Sequence, residues 1–154
     1  MNRKSEIDRR RFLAASAAVL LFRPALAAAR GVVEVYKSPT CGCCTRWIEH
    51  LRAHGFDVQA HDVDDISVSR AKLGVPQALA SCHSASVGGY LIEGHVPARD
   101  ILRLLRERPS AAGLAVPSMP HGSPGMEADV KESYAVLLFQ PNGRYVAYQR
   151  YGAR

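Results

Sequence analysis

Three of this chain's four cysteines fall within four residues, Cys41-Gly42-Cys43-Cys44, at the junction of a strand pattern and a helix pattern. Val32-Val33-Glu34-Val35-Tyr36 is a β-branched, aromatic run that predicts a strand. Lys37-Ser38-Pro39-Thr40 turns the chain. Cys44, Trp47, Ile48, Leu51 and Gly55 then recur at helical spacing, with Gly55 where a C′ glycine ends a helix. Cysteines at a helix N-terminus meet unpaired backbone N–H groups and the positive end of the helix dipole, and both favour thiolate. Crowded thiolates are nucleophiles and ligands for soft metals. The chain is therefore constrained to a fold that presents a strand-to-helix turn to a reactive site.

The pattern beyond the cysteines is alternating α and β. Phe56, Val58 and Ala60 predict a second strand, and Ile66 to Leu73 a polar helix closed by Gly74 and Pro76. Leu79 to Cys82 reads as one further helical turn. Ser84 to Val87 and Tyr90-Leu91-Ile92 form a hairpin around Gly88-Gly89. Pro97 starts an amphipathic helix with Ile101, Leu102, Leu104 and Leu105 on its apolar side. Residues 109–127 hold four prolines and three glycines and read as one long loop, a kind that is functional or mobile in compact domains. Tyr134 to Phe139, Pro141-Asn142-Gly143 and Tyr145 to Tyr148 read as a C-terminal hairpin. The expected domains are an export segment, 1–27, and a single metal-binding domain, 28–154.

The export segment shows a basic stretch ending in Arg9-Arg10-Arg11, an apolar run from Phe12 to Phe22 and a small-residue site, Ala25-Leu26-Ala27. Arg9-Arg10-Arg11-Phe12-Leu13 resembles a twin-arginine signal, and a plain Sec signal is the alternative. The segment also explains the charge. Of 20 bases and 14 acids it holds six and two, so a formal +6 becomes fourteen bases against twelve acids in the remainder. A nucleic-acid partner thereby loses its electrostatic support. At 47% hydrophobic and 22% charged residues the composition is globular, which excludes collagen-like and disordered classes. No apolar run reaches the roughly 18 residues of a spanning helix, so stable membrane insertion is not expected. Export would place the thiols in the periplasm, where disulfides persist.

Cysteines between the first strand and first helix, followed by βα and ββα units, resemble the thioredoxin/glutaredoxin architecture over residues 31–108. The implied fold is α/β, a mixed sheet flanked by helices, with the C-terminal β-hairpin added. Thioredoxins face their CxxC with a cis-proline loop. Here that stretch is Ala80-Ser81-Cys82-His83-Ser84, without proline, so a fourth sulfur is expected at the site. Cys41 and Cys44 form the CxxC frame of a thiol oxidoreductase. With Cys43 and Cys82 they make four convergent sulfurs, which suit Cu(I), zinc or iron–sulfur clusters. Cys₄ zinc draws on separated knuckles, and iron–sulfur runs keep at least two residues between ligands. Bridging Cu(I), one ion or several, fits the crowding better. Structural disulfides are the bland alternative; a Cys43–Cys44 bridge is too strained, so the pairings link Cys82 to the cluster.

Several motifs together resemble a family of small exported bacterial proteins found with copper-resistance systems, the CopG-type proteins. They are Ser38-Pro39-Thr40-Cys41-Gly42-Cys43-Cys44, Gly74-Val75-Pro76, Leu79 to His83, Gly88-Gly89-Tyr90, Glu93 to Pro97, Gly113 to Pro117 and Met119 to Met126. The resemblance spans residues 31–150. It implies a periplasmic thioredoxin-like protein that binds copper through its cysteines, works among other copper-handling proteins and has thiol or copper redox activity. The alternative is a thiol-disulfide oxidoreductase acting on protein substrates without a metal. His83 follows Cys82 and is a candidate ligand. Met119, His121 and Met126 share the Pro/Gly-rich loop, and thioether and imidazole suit exchangeable copper, so a lid over the thiolates is expected. His50 with His54, His61 and His95 read as surface or structural residues, and Arg99, Arg103 and Arg106 as a solvated helix face.

Overall fold

The first strand, β1 (Val32–Lys37), buries Val33, Val35 and Lys37 and leaves the residues between them more open, the period-2 alternation of a strand packed mainly on one side. In this computed structural model residues 31–152 are described, and the expected export segment lies outside them. Helix α1 (Gly42–Ala53) buries Cys44, Trp47, Ile48 and Leu51 on one stripe, and its chain returns as β2 (Asp57–Asp62), parallel to β1. Helix α2 (Ile66–Leu73) is capped by Asp65, whose carboxylate accepts from the Ser67 N–H. The further turn expected at Leu79 to Cys82 lies earlier: a 3-10 turn covers Gln77–Leu79, and the chain is extended by Ala80.

Strands β3 (His83–Val87) and β4 (Tyr90–Glu93) form the expected hairpin. Gly88 and Gly89 both take positive φ, 56° and 87°, as a two-residue hairpin turn requires. Helix α3 (Ala98–Glu107) starts after Pro97, which holds the N-cap position. The order β2-β1-β3-β4, with α1 and α2 crossing between strands and α3 following, is thioredoxin-like.

The long loop expected over 109–127 contains a strand. β5 (Gly113–Ala115) is wholly buried, pairs parallel with β4 and antiparallel with β6 (Tyr134–Phe139), and β6 pairs with β7 (Tyr145–Tyr151). The C-terminal hairpin thus extends one seven-stranded sheet through β5. Successive residues of β5 serve opposite faces. Leu114 joins the core of Trp47, Leu51, Ile92, Ile101 and Leu104, while Ala115 joins Val75, Leu79 and Phe139. The composition hid β5 because three buried residues within a proline- and glycine-rich stretch carry no periodicity.

The arginine face of α3 is also not simply solvated. The Arg99 guanidinium lies 4.6 Å from the Tyr151 ring centre and that of Arg103 4.2 Å from Tyr148. Tyr151 donates to Asp100 at 2.5 Å and Tyr148 to Glu107 at 2.9 Å. This face receives β7, and the aromatic rings find cations already in place.

Candidate metal centre

The β1–α1 turn delivers three sulfurs and the segment before β3 delivers the fourth. Cys41 is the N-cap of α1, and its Sγ accepts from the Cys44 N–H at 3.4 Å. Cys41 and Cys44 are joined as a disulfide; Cys43 and Cys82 are free thiols. Cys43 Sγ lies 3.4 Å from Cys41 Sγ and 3.8 Å from Cys82 Sγ. All four sulfurs fall within 4.8 Å of one another, as the sequence leads one to expect.

A buried ion pair holds Cys82 in place. Arg70 of α2 donates to Glu93 of β4 at 2.8 Å, and both side chains are buried. Glu93 also accepts from the Ser81 N–H at 2.7 Å and from the Ser84 hydroxyl, while Arg70 donates to the Ser81 carbonyl at 2.5 Å. Both backbone polar groups of the residue before Cys82 are therefore fixed by one pair of side chains. Burial holds the Glu93 carboxyl above the usual carboxylate range, and Ser84, Ser81 and Arg70 offset that rise only in part. Among the described residues there is no cis peptide bond, and it is this salt bridge that fixes the backbone just ahead of Cys82.

Two imidazoles complete the donor set. His83 lies wholly buried with its Nδ1 3.3 Å from Cys82 Sγ, and its ring packs 4.3 Å from that of Trp47. Its Nε2 has no hydrogen-bond partner among the described residues, so the ring is held by the Nδ1 contact to Cys82 and by packing on Trp47. His95 Nε2 lies 3.1 Å from Cys82 Sγ, and its Nδ1 is 2.8 Å from the Pro124 carbonyl. A carbonyl only accepts, so Nδ1 carries the hydrogen and the Nε2 lone pair faces the sulfur. Burial keeps both rings neutral by lowering their pKa values, His83 well below the usual range. Cys82, His83 and His95 offer ligand atoms within 4.8 Å of one another. A neutral imidazole oriented by a carbonyl on its far nitrogen is the form that ligates metal.

Cys82 itself is pushed up to about 12, first by burial and then by the Cys43 thiol beside it. At neutral pH it is therefore a thiol that donates to His95 Nε2. A soft metal ion would replace that proton, and the sulfur and two imidazoles around it are a donor set suited to copper.

The strap from Val116 to Glu127 closes one side of the centre. Ser118 N–H donates to the Ala80 carbonyl at 3.1 Å, and Ser81 donates back to the Ser118 carbonyl. Gly125 has φ +84°, and a Cβ there would stand 2.7 Å from the Cys43 carbonyl and 2.8 Å from the Trp47 nitrogen. Only glycine lets the strap seat this closely on α1. Met126 is half-buried next to it, whereas Met119 is 46% exposed and His121 is exposed and outside both ligand groups.

The remaining histidines serve contacts. His50 Nε2 accepts from the Ala98 N–H at 3.1 Å, with the His54 ring 4.4 Å away, and His61 pairs with Glu34 at 2.6 Å. His95 is the member of the centre that the sequence reading passed over as structural.

Comparison with known proteins divides the chain much as the fold does. A glutaredoxin family model matches residues 33–77, and the model of a family of proteins of unknown function, DUF411, matches residues 79–126. None of the curated proteins matches the chain. Two solved structures do, both titled copper resistance protein CopG. Form 1 is 43% identical, with TM-score 0.75, covering 80% of this chain and 99% of its own. Form 2 is 44% identical, with TM-score 0.75, covering 79% and 98%.

Proposed function

Because the chain belongs to the family of the copper resistance protein CopG, we propose that it binds copper as Cu(I) on Cys41, Cys43, Cys44 and Cys82. The observation that carries this reading is the convergence of four sulfurs within 4.8 Å, with His83 and His95 against the fourth. Thiolates bridging one or several Cu(I) ions use such crowding, which a single tetrahedral zinc does not need. The full sulfur set exists only when Cys41 and Cys44 are reduced, so oxidation to their disulfide releases copper and couples metal occupancy to thiol redox state. Met126, with Met119 and His121 further out on the strap, supplies exchange ligands toward other copper-handling proteins. The chain acts in copper resistance in the periplasm, exported by its first 27 residues through the twin-arginine route. No described helix is long and apolar enough to cross a membrane.

The test is uptake by anaerobic, fully reduced protein offered Cu(I) and zinc together. Cu(I) is taken in preference. Cys43→Ser or Cys82→Ser weakens it by more than the ~10–100-fold that loss of an outer-sphere partner costs. Preference for zinc overturns the reading.

The glutaredoxin match over the CxxC segment favours a second reading, thiol-disulfide exchange with protein substrates through Cys41 and Cys44. Under that reading Cys82→Ser leaves turnover of a protein disulfide intact.

A further inference from the structure

Cys43 and Cys82 are unoxidised where Cys41 and Cys44 are already paired. The sulfurs form a continuous file. Cys44 is bonded to Cys41, Cys41 touches Cys43 at 3.4 Å, and Cys43 approaches Cys82 at 3.8 Å. No sulfur of the file is isolated, and Cys43 stands between the disulfide and the buried thiol.

We propose that Cys43 and Cys82 are a second redox couple, which re-reduces the Cys41–Cys44 disulfide through Cys43, so that the cluster passes four electrons to Cu(II) instead of two. This rests on the copper reading above. In the first round two Cu(II) ions each take one electron from the Cys41–Cys44 dithiol, giving two Cu(I), the disulfide and two protons. The Cys43 thiolate then attacks Cys41 Sγ, the sulfur it touches. The Cys43–Cys41 bond forms, the Cys41–Cys44 bond breaks, and Cys44 leaves as thiolate. Cys82, whose proton is held toward His95 Nε2 at 3.1 Å, next attacks Cys43 Sγ as that proton leaves. The Cys82–Cys43 bond forms, the Cys43–Cys41 bond breaks, and Cys41 leaves as thiolate.

These two exchanges move no net electrons; they relocate the disulfide. The protons released by Cys43 and Cys82 are matched by those that Cys41 and Cys44 can regain. The restored dithiol then reduces two further Cu(II) ions. In total four thiols and four Cu(II) become two disulfides, four Cu(I) and four protons. Closing the last bond requires the Cys43–Cys82 gap to shorten from 3.8 Å to about 2.05 Å. Cys43 makes sense of its place in this scheme: it is the one free thiol in contact with both ends.

The experiment counts electrons. Fully reduced protein, freed of reductant under argon, is mixed with excess Cu(II) and bicinchoninate, and the Cu(I) complex is read by absorbance. Wild type yields about four Cu(I) per chain, and Cys43→Ser or Cys82→Ser about two, at two electrons per disulfide. Peptide mapping of the oxidised wild type finds a Cys43–Cys82 bridge beside Cys41–Cys44. The Cys41→Ser, Cys44→Ser double variant, in which the relay has no outlet, yields almost none. Wild type stopping at two, with Cys43 and Cys82 still open to alkylation, overturns the second couple. Two Cu(I) from the double variant overturns the relay. Direct Cu(I) binding by the reduced protein, measured without Cu(II), is a separate readout; its failure sinks the copper reading and leaves the electron count standing.

Discussion

Cys82 is the residue on which burial, charge and metal chemistry meet. Its thiol is raised from an ordinary 9.0 to about 12, with burial the largest cause and Cys43 the next. An unfolded chain gives up this proton first. Cys82 therefore favours the folded state fully below about pH 9, and this contribution is lost as pH climbs toward about 12. The same shift makes the metal-free thiol a poor nucleophile. In the protein with Cys41 and Cys44 oxidised, iodoacetamide at pH 8 should label Cys82 at least ~10-fold more slowly than the unfolded chain, since only thiolate reacts. Mass spectrometry of timed digests reads the rate, and labelling as fast as in urea refutes the shift. Prior Cu(I) loading of the reduced protein should release protons, because the metal displaces the hydrogen that Cys82 donates to His95.

At the scale of elements, the centre is a product of hairpin register. Each β3–β4 pair straddles Gly88-Gly89 symmetrically, with Ser84 opposite Glu93 and Ala85 opposite Ile92. Continued by two residues, that register sets Cys82 across from His95, where the contact is 3.1 Å. The sequence does contain this signal: a two-residue glycine turn fixes register, and register finds the imidazole. The strap was less legible. Its prolines and glycines suggest a mobile lid, yet Gly125 sits against the Cys43 carbonyl and Pro124 orients His95. No local pattern encodes such long-range seating. The strap's ligands are therefore not equivalent. Met126→Ala should speed Cu(I) transfer to a competing chelator in stopped flow by several-fold. Met119→Ala with His121→Ala, both exposed, should change it less than twofold, and Gly125→Ala should weaken Cu(I) retention by displacing Pro124 from His95. Equal acceleration by the first two variants makes Met119 and His121 ligands on a par with Met126, and no effect from any of the three variants reduces the strap to a structural cover.

At the scale of the molecule, β5 decides whether the C-terminal hairpin is an appendage or part of the body. The strand and helix order through residue 108 was legible, because each element there is long enough to show its period. β5 was not, having three residues and burial on both faces. Nor was the docking of β7 on α3, since Arg99 and Arg103 look solvated until Tyr151 and Tyr148 are placed beneath them. Once β5 pairs with both β4 and β6, the sheet is continuous across seven strands, and Leu114 packs in the same core as Trp47. A continuous sheet with a shared core unfolds as one unit. Leu114→Ala removes a fully buried side chain from that core, at a cost of about 2–5 kcal/mol. It should lower the urea midpoint without splitting the transition. Trp47 fluorescence reports the side of the sheet nearest the metal centre, and tyrosine absorbance reports mainly the β6–β7 end, which holds four of the six tyrosines and where Tyr134 and Tyr151 stack with ring centres 4.7 Å apart. The two curves should coincide in wild type and move together in the variant. A tyrosine transition that precedes the tryptophan one, in either protein, means that the hairpin opens alone and that β5 is a weak join.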